Sequence, residues 1–243
     1  DINPQPYHDA SANRRNMHLE DCNVDDRWAD AWIRPIRHVE PPIKIELERS
    51  AKAARLNDRQ RQAMTLTRYH RLVIARGPPG TGKTQLAAAI INAWARAVNT
   101  NEIVIAAGPS NTATDNLLDR IAQTAVRNYD IGRIGEGPTV FDPRRSEFSL
   151  TMQARKALGP DAKKHSVNKS IKEAIQGRRH HVLFTTYMKS AELNGTNTIF
   201  ILADEVGQAT EPTTDVLLAN AIEGAHVMLV GDEHQLTPTV KCQ

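Results

Sequence analysis

Three observations predict an α/β fold: a doubly wound parallel sheet with a helical or irregular insertion. Apolar runs of strand length alternate with helix-like stretches from about residue 51 onward. A glycine-rich loop joins the first of these runs to the helix-like stretch after it. The polar motifs follow strand ends, the place where open parallel sheets hold ligands.

Taken in order, residues 1–50 are polar, carry Pro4, Pro6, Pro35, Pro41 and Pro42, and read as an N-terminal extension or linker. Within them Trp28, Trp32 and Ile33 offer one short helical face for docking. Residues 51–243 read as a single nucleotide-binding domain. Residues 50–66 predict a helix, with Asn57 or Asp58 able to cap a start inside it. Strands are predicted at 72–75, 103–107, 181–185, 198–203 and 227–230. Helices are predicted at 84–98, 113–127 and 213–221. The alternation lapses at about 129–180, where Gly132, Gly135, Gly137, Pro138 and Pro143 mark an irregular stretch. A helix at 148–158, a polar loop at 159–168 and a short helix at 169–176 complete this insertion.

Composition narrows the class. The 31 basic against 28 acidic residues give a net charge of +3, which permits a nucleic-acid partner without demanding one. Aromatics are only 5% of the chain, so few side chains are available to stack on bases. Cys22 and Cys242 stand far apart, which argues against a disulfide framework and against zinc spacing, and a reducing compartment fits. The apolar runs are too short to span a bilayer, and no secretory signal opens the chain. The expected location is intracellular, cytoplasmic or nuclear, with no membrane partner. The chain opens at Asp1 and stops at Gln243 just after a motif, which predicts a piece of a longer protein.

The loop reads Gly77, Pro78, Pro79, Gly80, Thr81, Gly82, Lys83, Thr84. Strand, glycine-rich loop and helix in that order form the context of a phosphate-binding loop. Glycines let the backbone curl until its N–H groups face a phosphate chain. The helix N-terminus adds partial positive charge at the same spot. Lys83 is placed to reach the β- and γ-phosphates, and the Thr84 hydroxyl to ligate Mg²⁺. The chain is therefore expected to bind a nucleoside triphosphate.

Asp204 and Glu205 follow an apolar strand. An aspartate there suits Mg²⁺ opposite Thr84, and a free neighbouring glutamate suits activation of water. Gln235 follows the last strand, with an amide able to report a terminal phosphate. Residues 108–113 follow the second strand and open a helix. There Ser110, Asn111 and Thr112 suit a nucleic-acid phosphate, and they suit an ordinary N-cap equally well.

Together these residues resemble the superfamily 1 helicases, and most of all the RNA/DNA helicase branch that includes the nonsense-mediated-decay helicase. The resemblance covers about residues 54–241. Leu56, Asn57, Gln60 and Ala63 look like that family's adenine-reading Q motif, and 77–84 like its Walker A loop. Residues 107–115 look like motif Ia, 131–135 like a short Arg-Ile-Gly element, and 184–186 like a segment touching the nucleic-acid backbone. Residues 204–212 are close to motif II and 231–236 to motif III. Gly207 stands where a small polar residue such as Ser is common, and Thr237 where many relatives have Pro or Gly.

The resemblance implies the first RecA-like domain of an ATP-dependent helicase or translocase on single-stranded RNA or DNA. It implies ATP and Mg²⁺ as cofactors, with Gln60 on adenine and Lys83, Glu205 and Gln235 as the catalytic set. Ser110, Asn111, Thr112 and Thr185 would touch nucleic acid. The second RecA-like domain, which would carry the arginine fingers, is not in this chain, so weak hydrolysis is expected of the chain alone. It would be a partner in the full-length protein, alongside protein regulators. The alternative is a helicase-derived nucleotide-binding scaffold or switch that does not unwind. The insertion's Arg155, Lys156, Lys163, Lys164, Lys169, Lys172, Arg178 and Arg179 form either a solvated basic face or a backbone contact.

Overall fold

A computed structural model describes residues 41–99, 101–124, 131–135, 143–159, 161–177, 180–232, 234, 235 and 238. Several expectations lie outside these residues: the Trp28, Trp32 and Ile33 face, both cysteines, residues 125–127 of the helix predicted at 113–127, Gly137, Pro138, Arg178, Arg179 and Thr237.

The chain enters the fold earlier than its sequence predicts. Helix α1 spans Pro41–Ala53, inside the stretch read as linker. Ile43, Leu47 and Ser50 recur at helical spacing and are buried, so α1 lays one face on the core. The single helix predicted at 50–66 is two. Arg55 takes a left-handed φ of 51°, and Asn57 starts α2 (Asp58–Tyr69) afresh with a complete capping box. Its Oδ1 accepts from the Gln60 N–H at 2.9 Å, and its own N–H donates to Gln60 Oε1 at 3.0 Å. Two satisfied backbone donors outweigh continuation through the break.

Strand β1 (Leu72–Arg76) leads through the glycine loop into α3 (Lys83–Ala97). Leu86 to Ala95 are buried without interruption, so this helix is covered on all sides. Trp94 near its end stacks on Phe200 with centroids 4.6 Å apart. Strand β2 (Ile103–Gly108) precedes α4 (Asn111–Thr124). Strand β3 (Ile131–Arg133) is followed by α5 (Pro143–Ser146), α6 (Leu150–Leu158) and α7 (Lys164–Gln176). Strand β4 (Val182–Thr186), β5 (Thr198–Ala203), α8 (Glu211–Leu218) and β6 (Ala221–Gly231) complete the order.

The sheet has six strands in the order β1-β6-β5-β2-β4-β3, and every pairing is parallel. The doubly wound reading of the sequence is thus the observed architecture. Residues 131–133, read as insertion, are instead the edge strand, paired with β4 from Ile131 opposite Val182. What stands off the sheet is the α5–α7 segment, and α7 begins inside the predicted polar loop. The helix predicted to reach residue 221 ends at Leu218, because Asn220 Nδ2 donates to the carbonyls of Val216 (3.1 Å) and Leu217 (3.0 Å). Ala221 already belongs to β6.

Candidate nucleotide and nucleic-acid site

Strand order decides what can meet. β6 lies between β1 and β5, so the three turns that follow these strands share one end of the sheet. The first carries the glycine loop, the second Asp232 and Gln235, the third Asp204 and Glu205. Gly77 N–H donates to Gly231 O at 3.2 Å, which ties the loop to the end of β6.

Within the loop Gly80 and Gly82 take φ of 79° and 82°, conformations that L side chains rarely adopt. Thr81 Oγ1 donates to Pro78 O at 2.8 Å. The Lys83 ammonium curls back over the loop, donating to Gly77 O and, at 3.0 Å, to Pro78 O. A phosphate chain in the same curl would offer stronger, charged acceptors. Gln60 Nε2 donates to Thr81 O (3.1 Å) and Gly82 O (3.4 Å), while its Oε1 serves the α2 cap. Gln60 is therefore beside the loop, and its amide is committed to positioning that loop. Thr84 is exposed in the first turn of α3.

Asp204 is 7% exposed and its N–H donates to Ala107 O at 2.8 Å. Its Oδ1 accepts from the Glu205 N–H at 3.0 Å. Burial pushes its carboxyl up to about 6. The Glu205 N–H pulls it back, the Glu205 charge pushes it further, and the Lys83 ammonium pulls it back. The Gly77–Gly231 bond and the adjacent ends of β6 and β5 put the loop and the acid turn at the same end of the sheet. Glu205 has a left-handed φ of 54°, strained for a residue with a Cβ. Hydroxyl and carboxylate oxygens are hard donors of the kind magnesium takes, and a buried carboxylate gains from a cation that offsets its charge. The donor set of Thr84 and Asp204 therefore fits Mg²⁺ on a nucleotide.

The acid turn and the turn after β6 touch directly. Gln208 Nε2 donates to Gln235 Oε1 at 3.4 Å, a contact that joins the two motifs. A Cβ on Gly207 would lie 2.8 Å from Asp232 O, so the glycine that departs from the usual pattern permits this close approach. Asp232 is buried, with Oδ1 accepting from His234 N–H at 3.0 Å and Oδ2 lacking a hydrogen-bond partner among the described residues. The sequence reading passed over Gln208 and Asp232, although both lie inside the acid-turn and β6-turn motifs.

The nucleic-acid candidates fare unevenly. Ser110 and Thr112 are exposed at the start of α4, and Ser110 Oγ accepts from Ala113 N–H at 3.1 Å, so the capping role is present. Asn111 is half-buried, and its Oδ1 accepts from Arg133 Nη2 at 2.9 Å. Thr185 is a correction. It is fully buried, with Oγ1 donating to Thr186 O at 3.2 Å, because β4 is an internal strand between β2 and β3 and is buried from Val182 through Thr185. Thr186 is the half-buried residue at that strand end.

Three comparisons with known proteins bear on this geometry. The family model described as "AAA domain" matches residues 55–241. The chain belongs to that family. Among its relatives is the regulator of nonsense transcripts 1 of Caenorhabditis elegans, 28% identical over 222 residues, covering 83% of this chain and 20% of that protein. Another is the DNA polymerase alpha-associated DNA helicase A of Saccharomyces cerevisiae, 27% identical, covering 77% and 33%. The second of these is a helicase by name, in line with the resemblance of this chain's motifs to superfamily 1 helicases. The chain spans only a fifth to a third of the length of these two relatives. The UvsW helicase from bacteriophage T4 shares the fold, with a TM-score of 0.51 at 11% identity over 80% of this chain and 61% of that one.

Proposed function

We propose that this chain is the first motor domain of an ATP-driven helicase or translocase on single-stranded RNA or DNA. The observation that carries the reading is geometric: the glycine loop, tied to the end of β6 by the Gly77 N–H on Gly231 O, shares the β1-β6-β5 end of the sheet with the buried Asp204. In this reading 77–84 wraps the phosphates, Lys83 offsets charge developing on the terminal phosphate, and Thr84 and Asp204 hold Mg²⁺. Bound there, Mg²⁺ would neutralise phosphate charge. Glu205 orients the attacking water, and Gln235, steadied by Gln208, senses the terminal phosphate. Gln60 reads adenine by exchanging its bonds to the loop for the base, so base recognition and loop shape are linked. Nucleic acid lies at Ser110, Thr112 and Thr186, held through its backbone, so binding is salt-sensitive and sequence-tolerant. The protein works intracellularly, in cytoplasm or nucleus, with protein regulators on the longer chain.

Arginine fingers from a second RecA-like domain supply roughly three to five decades in related phosphoryl transfer. The chain alone is therefore expected to bind Mg-ATP and hydrolyse it very slowly. The test is ATP turnover by the longer protein, with and without single-stranded RNA or DNA, beside its Glu205→Gln variant. Strong stimulation that Glu205→Gln abolishes, with strand displacement, supports a motor. Hydrolysis without displacement points to a switch. Turnover that Glu205→Gln leaves unchanged refutes the assignment of the hydrolytic residue.

A further inference from the structure

Tyr187 stands just past β4, is 1% exposed, and belongs to no motif used above. Its ring reaches over the carboxyl end of β2, the strand between β4 and β5, and its hydroxyl donates to Asp204 O at 2.7 Å. That carbonyl belongs to the peptide joining Asp204 to Glu205. Rotating this peptide would change the φ of Glu205, which sits at a strained 54°. The N–H of the same peptide, that of Glu205, donates to Asp204 Oδ1 at 3.0 Å, and the preceding peptide is held by the Asp204 N–H donating to Ala107 O at 2.8 Å.

The backbone of Tyr187 faces the nucleic-acid candidates. Its N–H donates to Gly108 O at 3.1 Å, and Gly108 is packed so closely under the start of α4 that a Cβ would lie 2.9 Å from Thr114 N. Thr114 Oγ1 in turn donates to Thr185 O at 3.2 Å, two residues before the tyrosine. Ser190 Oγ donates to Tyr187 O at 2.6 Å and fixes the turn beyond. Burial pushes the phenol ionisation far upward, and the Asp204 and Glu205 charges push it further, so the hydroxyl stays a donor.

We infer that Tyr187 is a positioning residue: its hydroxyl clamps the Asp204–Glu205 peptide in the strained geometry that presents both acids, and its backbone ties that clamp to the start of α4. The inference rests on the proposed hydrolytic site. It makes the phenol the physical link by which nucleic acid at Ser110 and Thr112 sets the aim of Glu205.

The decisive change is Tyr187→Phe, which keeps the buried ring and removes one donor. Two measurements separate the outcomes. Amide hydrogen exchange across 203–209 of this chain reports the clamp whether or not the chain hydrolyses ATP, and Tyr187→Phe is expected to raise exchange there while leaving β2 and α3 protected. In steady-state hydrolysis on the longer protein, kcat with single-stranded nucleic acid should fall about tenfold or more, as for lost outer-sphere partners, with KM for ATP unchanged. Unchanged exchange at 203–209 overturns the inference. So does raised exchange with wild-type kcat, which would make the bond structural only. A wild-type protein without nucleic-acid stimulation would instead sink the motor reading, and the exchange result would still decide the clamp.

Discussion

Each half of the sheet buries charge, and the two do so in opposite ways. At the β3-β4 edge, Arg133 Nε donates to Asp115 Oδ1 at 2.9 Å, with the two side chains 8% and 2% exposed. The same guanidinium also donates to Ile134 O and to Asn111 Oδ1, so every arm finds an acceptor. At the β1-β6-β5 end, Asp204 is just as buried, and among the described residues no cation lies within ion-pair distance of it. Its nearest charged neighbour in sequence is another acid. The two burials serve different ends. The paired charge fixes where α4 starts relative to the edge strand. In the proposed function the unpaired one would meet a cation that arrives with the nucleotide.

The largest effect is expected at the paired end. Asp115→Ala would leave Arg133 buried without its counter-charge, a loss of roughly 3–5 kcal/mol in such cases. Urea unfolding of the chain is expected to show this, while Mg-ATP affinity of the folded fraction stays near wild type. A double change to apolar residues, Asp115→Leu with Arg133→Met, should recover much of that loss, since a buried pair seldom outperforms well-packed apolar side chains. If Asp115→Ala costs less than about 0.5 kcal/mol, the level of an ordinary surface change, the pair does not organise the edge.

The β1-β6-β5 half responds to pH, where the effect of Asp204 on stability is opposed by that of a buried histidine toward the other end of β6. Burial pushes the His226 imidazole down to about 4. Its Nδ1 lies 3.0 Å from Thr67 O and its ring lies 4.7 Å from that of Trp94. Hydrogen bonds with Thr67 and His70 raise its pKa, and the Arg71 charge lowers it. The unfolded chain therefore takes up a proton near pH 6.5 that the folded chain refuses until about 4. Stability from this group is complete above 6.5 and is lost as pH falls through that window. Asp204 has the opposite sign. Burial raises it from 3.8 to about 6, so its contribution is complete below 3.8 and is lost as pH rises through 6. Each swing is about 3 kcal/mol, because every tenfold change in proton affinity is worth about 1.36 kcal/mol. Wild-type stability should thus be nearly flat between these limits. Asp204→Asn should expose a rise with pH, and His226→Gln a fall. Matching curves for all three proteins would mean that neither group is buried in the way described.

The two halves also differ in how much of them is legible in the sequence. Around the nucleotide, function is carried by backbone shape and by residues next to one another in the chain. Gly82 and Glu205 lie in short motifs, and strand ends announce them. The edge is built from side chains distant in sequence. Nothing local says that Arg133 will meet Asp115 and Asn111, so residues 131–133 read as insertion although they complete the sheet. Thr185 failed for a related reason: β4 lies between β2 and β3 and is covered on both faces through Thr185, so only Thr186 at its end is half-buried. Helix α1 was hidden because its prolines sit at the helix start, where proline is tolerated, and not in a linker.

The smallest expected effect bears on the point where the two halves meet. Ser110 caps α4, and in the proposed function its exposed hydroxyl would also meet a nucleic-acid phosphate. Ser110→Ala removes both roles, at about 1 kcal/mol for the cap alone. Ser110→Asp restores the cap and places a negative charge where phosphate would bind. If α4 only holds the edge together, the aspartate variant binds single-stranded nucleic acid as wild type does. If the start of α4 grips the strand, affinity falls in Ser110→Asp although stability is restored. The dependence of binding on salt then shifts as well, because a fixed negative charge opposes each nearby phosphate. Stability and affinity moving together in both variants would assign the residue to the cap. Their separation in the aspartate variant would assign it to the strand.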